Sequence, residues 1–118
     1  MVCRNVEFKE ADMDAVTALS GSGPAYVFYM VESLIEAGVR VGLNPDDAAT
    51  LTMATVNGAI RLLEKRGESP ELLRQKVTSP GGTTESALRV LQDNGVKQHF
   101  IDAIEAATRR SRELSKIS

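Results

Sequence analysis

Between Pro24 and Val41 the sequence places Val27, Met30, Val31, Leu34 and Ile35 on one side of a helix, with Tyr26, Phe28, Tyr29 and Val39 on the others. Only a narrow stripe of Glu32, Ser33, Glu36 and Arg40 is polar. A helix that is apolar nearly all round has to be surrounded by protein. A chain of 118 residues has little to surround it with, because small domains bury a limited fraction of their surface. The stretch therefore calls for a single helical core completed by a second chain.

Glycines and prolines divide the rest. Residues 2–8, "VCRNVEF", are short and partly alternating, which suggests a strand with nothing in the sequence to pair with. From Glu10 the pattern turns helical, with Met13, Val16 and Leu19 on one face. "SGSGP" at 20–24 ends that helix and starts the next, with Ser22 or Gly23 as cap and Pro24 at the first helical position. Asn44, Pro45, Asp46 and Asp47 form a second start, and Gly67 closes the helix that runs to Arg66. That helix is small-sided at Ala48, Ala49, Ala54, Gly58 and Ala59, which favours close packing. Ser69 and Pro70 open a short helix through Lys76. Further helices are expected from about Thr84 to Gln92, before Asn94 and Gly95, and from Val96 to about Leu114, the last with Phe100, Ile104, Ala107 and Leu114 on one face. The fold class is all-α, with no period that would indicate a repeat array.

Composition excludes several functions. Hydrophobic residues make up 42% and charged residues 25%, with a net charge of −2, so no field draws nucleic acid or an anionic membrane. The one basic cluster, "RRSR" at 109–112, sits near a helix end, where cations complement the dipole. No apolar run approaches the roughly 18 residues of a membrane span. The N-terminus is charged where a secretory signal needs an apolar core, so a cytoplasmic protein is expected. A single cysteine, Cys3, excludes an intrachain disulfide and a cysteine-based zinc site. His99, the single histidine, has no neighbour in sequence with which to build a metal site or a triad, so no metal is expected.

One corner stands out, "VTSPGGTTESAL" at 77–88. Its glycines permit restricted backbone angles, and a helix N-terminus with unpaired N–H groups follows at once. Such a turn attracts carboxylates and phosphates. Thr83 and Thr84 add hydroxyls that either cap the helix or reach a ligand; the alternative is a plain turn with Thr83 as cap. "GSGPAY" at 21–26 is not a dinucleotide loop, because Tyr26 replaces the last glycine of G-x-G-x-x-G and a helix precedes it.

Taken together, "DAVTALSGSGPAYVFYMVESL", "VTSPGGTTESAL" and "RRSREL" make the chain, from about Glu10 to Leu114, similar to the C-terminal half of the pyrroline-5-carboxylate reductase family. The resemblance implies an interleaved helical dimerisation domain, like the C-terminal domain of 6-phosphogluconate dehydrogenase, acting in the reduction of 1-pyrroline-5-carboxylate to L-proline. It makes residues 10–118 the dimerisation and substrate-binding domain. Residues 1–9 become the last strand and linker of a nucleotide-binding domain the chain does not carry, which accounts for the unpaired strand. Such chains pair as homodimers, alone or gathered into a higher oligomer of dimers. The cofactor implied is NADP or NAD in the whole enzyme, with none bound to this chain alone.

By the same resemblance the substrate carboxylate binds at Ser79, Gly81, Gly82, Thr83 and Thr84. The backbone N–H groups of Thr83 and Thr84 hold the carboxylate, and the Thr84 hydroxyl meets the ring nitrogen as the catalytic contact. Glu10 matches a substrate-contacting glutamate. Ser22, Gly23 and Pro24 fall near the nicotinamide, and Lys76 stands where some relatives have an asparagine that contacts the cofactor. The competing expectation is a stand-alone helical dimerisation module without chemistry, which would not require the glycines of "SPGGTT".

Overall fold

The computed structural model describes residues 7–117, and among these every regular element is helical. Most of the strand expected over 2–8 lies outside the described residues; Glu7 and Phe8 are irregular. A 3-10 turn at Glu10–Asp12 leads into α1 (Met13–Val16), a π-helical turn at Thr17–Gly21, α2 (Gly23–Arg40), α3 (Pro45–Arg66), α4 (Pro70–Lys76), α5 (Thr83–Asp93) and α6 (Val96–Ile117). The described part of the chain forms two compact units, one from the segments up to Tyr26 and from Val96 onward, the other from Val27 to Gly95.

In the first unit, α6 packs on α1 and the π turn. The Asp14 carboxylate accepts a 2.8 Å hydrogen bond from the Ser111 hydroxyl and lies 4.0 Å from Arg112, so part of the "RRSR" cluster serves this contact. The face shared by Met13, Val16 and Leu19 is only partly covered within one copy. Met13 and Leu19 are 49% and 67% exposed, while Ala18 is fully buried. At Leu19 the cause is the π turn, in which the Ser22 N–H donates to the Thr17 carbonyl at 2.8 Å, five residues back. The wider turn carries the register past Leu19 and brings Ala18 inward. The Tyr26 hydroxyl donates to the Ala18 carbonyl at 2.8 Å. Helix α2 starts at Gly23, one residue earlier than a start at Pro24 would give.

The second unit follows its start and stop residues closely. The Asn44 side chain accepts from the Asp46 N–H at 2.8 Å, and the Ser69 hydroxyl accepts from the Leu72 N–H at 3.2 Å; a proline follows each cap. Gly67 ends α3 in the left-handed region, at φ 66°. The small side of α3 is used at one place. Ala48 is buried against Gly38 of α2, where an added Cβ would stand 3.0 Å from the Ala48 Cβ. Ala54, Gly58 and Ala59 remain exposed.

Burial is sparse in both units: Ala18, Ala48 and Leu73 are the buried apolar residues among those described. No residue of α2 is buried, and Phe28 and Tyr29 are each 69% exposed. Exposed apolar surface on this scale marks an association face rather than the outside of a monomer.

Candidate functional site

The corner at 77–84 is built by the ends of two helices. Helix α4 stops at Lys76, and the Thr78 hydroxyl donates back to the Arg74 carbonyl at 2.5 Å. The chain then turns on Gly81, at φ 74°, a left-handed conformation that glycine adopts without steric cost. The Gly82 N–H donates to the Ser79 carbonyl at 3.0 Å. A Cβ on Gly82 would stand 3.2 Å from that same carbonyl oxygen, so a larger residue would open the turn.

Gly82 is the N-cap of α5 and provides no side-chain cap; Thr83 and Thr84 are already the first two helical residues. The reading of Thr83 as the cap is therefore overturned, because the sharp turn at Gly81 starts the helix one residue earlier. The Gly81 N–H donates to the Glu85 carboxylate at 3.3 Å, and the Arg89 guanidinium reaches the same oxygen at 3.4 Å. Among the described residues the backbone N–H groups of Thr83, Thr84 and Glu85 have no acceptor, and neither threonine hydroxyl is hydrogen-bonded. Thr83 is exposed and Thr84 is half-buried. A row of free N–H donors at the positive end of an 11-residue helix has the geometry and partial charge that suit an anion.

Ser79, Gly81, Gly82, Thr83 and Thr84 thus come together in one turn of the second unit, with Lys76 just before it. Glu10, Ser22, Gly23 and Pro24 belong to the first unit. Glu10 is an exposed residue of the 3-10 turn, while Ser22 and Gly23 are half-buried at the junction of the π turn with α2. Lys76 is engaged by Glu68 through a short hydrogen-bonded ion pair. The Lys76 hydrogen bond, helped by the charges of Lys76 and Arg66, holds the Glu68 carboxyl below the usual carboxylate range. Sequence reading gave Glu85 no role. The available signal was its position three residues after the cap, where an acid can reach back to loop amides.

Ser22–Pro24 join two helical segments rather than a strand and a helix, and the Lys76 ammonium is taken by Glu68. Among the described residues there is no group of three or more acidic, histidine or cysteine side chains suited to a metal, and no helix long and apolar enough to cross a membrane.

An all-α chain with uncovered apolar helix faces falls in the class of helical dimerisation domains. The chain belongs to the family described as pyrroline-5-carboxylate reductase dimerisation, which matches residues 10–114. It is 46% identical to a pyrroline-5-carboxylate reductase of Corynebacterium melassecola, over 94% of this chain and 41% of that one. With the Synechocystis enzyme of the same name it shares 48% identity, over 94% of this chain and 42% of that one. The crystal structure of a Plasmodium falciparum pyrroline carboxylate reductase with NADP bound is similar at TM-score 0.89 and 40% identity, covering 92% of this chain and 44% of that one. A pyrroline-5-carboxylate reductase structure from Coxiella burnetii is similar at TM-score 0.87 and 45% identity, covering 92% and 40%. The chain spans about two fifths of the length of the curated relatives it matches.

Proposed function

We propose that this chain is the dimerisation and substrate-holding part of a pyrroline-5-carboxylate reductase, the activity that reduces 1-pyrroline-5-carboxylate to L-proline with NADPH or NADH. The observation that carries the reading is the turn at Ser79–Thr84, where two glycines leave the Thr83 and Thr84 N–H groups unpaired beside a free Thr84 hydroxyl. These donors match a carboxylate with a polar ring atom next to it. The N–H groups hold the carboxylate, which fixes the ring, and the Thr84 hydroxyl hydrogen-bonds the ring nitrogen. Holding the ring in one orientation lowers the entropic part of the barrier. A nicotinamide, when bound, supplies the hydride.

Two copies interleave through the exposed apolar faces, including that of α2, and the homodimer is the folded unit. Dimers pair alone or within a larger assembly. Glu10 is assigned to the substrate, and Ser22, Gly23, Pro24 and Lys76 to the cofactor side, on the family likeness. Lys76 keeps further N–H donors beside its ion pair with Glu68 for such a contact.

The test joins this chain, as one polypeptide, to the nucleotide-binding portion of the Corynebacterium melassecola relative. The expected protein oxidises NADPH only when 1-pyrroline-5-carboxylate is present. A folded, dimeric fusion that binds NADPH but turns over no pyrroline-5-carboxylate would leave a dimerisation module without chemistry.

A further inference from the structure

The loop that offers the Thr83 and Thr84 donors has one further amide, that of Gly81, and a side chain is committed to it. The Glu85 carboxylate accepts from the Gly81 N–H at 3.3 Å while Arg89, one turn along α5, contacts the same oxygen at 3.4 Å. Gly81 is the residue in the left-handed conformation, with nothing within 4 Å of where its Cβ would be, so packing does not hold this point of the turn. The next amide, Gly82, is held by the Ser79 carbonyl. The unpaired donors therefore begin at Thr83.

We propose that Glu85, clamped by Arg89, is a positioning residue for the substrate loop: it fixes the Gly81 amide so that the Thr83 and Thr84 N–H groups stay aimed at one carboxylate. This rests on the substrate-loop reading given above. An acid three residues into an anion-binding helix start would ordinarily repel the anion; like charges close together disfavour each other. Arg89 offsets that charge and also orients the carboxylate, which lets Glu85 organise the turn without opposing the ligand. The contact is solvent-exposed, and exposed ion pairs of this kind add little stability. Its effect falls on the geometry of the loop rather than on folding.

The experiment uses the dimeric 118-residue chain, labelled for amide NMR, with L-proline as the probe. Proline should shift the Thr83 and Thr84 amides of the unaltered chain. Glu85→Ala should speed hydrogen exchange at Gly81 and weaken proline binding about threefold to tenfold, the range for one lost hydrogen bond. Glu85→Gln keeps an acceptor for the Gly81 N–H and should restore both. Arg89→Gln should weaken proline binding more at low salt than at high salt, because it uncovers the Glu85 charge. If proline shifts these amides equally in the unaltered chain and in Glu85→Ala, Glu85 is not a positioning residue, while the substrate-loop reading stands. If proline shifts neither amide in the unaltered chain, the substrate-loop reading fails and this proposal with it.

Discussion

Replacing Phe28 by alanine should take the dimer apart, and the size of the effect follows from how little of the ring its own chain covers. Phe28 is 69% exposed on α2. A phenylalanine buries about 150–250 Å² when fully covered, so about 140 Å² is left for a partner. At about 25 cal/mol per Å² that area is worth about 3.5 kcal/mol, and alanine retains roughly a third of it. A twofold dimer contains the substitution twice. The loss is then about 4.5 kcal/mol, or roughly three orders of magnitude in dissociation constant. Sedimentation across a concentration series, with helical circular dichroism recorded on the same samples, reads both parts of the claim. The unaltered chain should remain dimeric at low micromolar concentration. Phe28→Ala should dissociate there, and its helical signal should fall in step, because so few side chains among the described residues of a protomer are buried within it. A folded monomer of either protein, or an unchanged dissociation constant for the variant, would refute the reasoning.

Three further outcomes are expected. In the fusion that supplies a nucleotide domain, Thr84→Val should lower kcat/KM about tenfold to a hundredfold through one lost hydrogen bond to a charged ring nitrogen; its melting temperature should hardly move, because Gly82 is the cap of α5 and the Thr84 hydroxyl has no partner, and unchanged kinetics with a lowered melting point would mark Thr84 as structural. Gly81→Ala meets no neighbouring atom but must adopt φ 74°, so denaturant titration of the dimer should show a loss of about 1–2 kcal/mol per substituted site. The Glu68 carboxyl is held down by Lys76, and a carboxylate so depressed adds stability above its unfolded pKa that is lost as pH falls through the folded one; Glu68→Gln should therefore melt slightly below the unaltered chain at neutral pH, and that gap should narrow as pH falls below the ordinary carboxylate range and at high salt.

The boundaries most legible in the sequence were those set by a single residue's own chemistry. Asn44, Pro45, Gly67, Ser69, Pro70 and Gly95 each stand where a cap, a missing N–H or a positive φ requires them. The all-round apolar character of α2 announced a missing partner for the same reason: the pattern lies within one helix. What escaped depended on a departure from regular spacing. The π turn at Thr17–Gly21 changed which of Ala18 and Leu19 faces inward, and an assumed period of 3.6 residues has no means of anticipating a five-residue turn. Glu85 escaped because its partner is the Gly81 backbone amide, four residues back across a turn whose shape follows from the glycine conformation. The Gly38–Ala48 contact was visible only as a general preference for close packing along α3, since sequence does not say which of several small residues meets the neighbouring helix.

The near absence of buried side chains among the described residues of one copy also bears on how such subunits are exchanged. If a protomer acquires its interior only by pairing, two copies cannot part without both losing their folds. Partner exchange is then limited by unfolding rather than by diffusion, and two pre-formed populations that differ by a label should stay unmixed for as long as an unfolding event takes. Refolding from the dissociated state is second order, so dilution slows it. A defective copy made alongside a sound one would pair with it during synthesis and remain its partner afterwards.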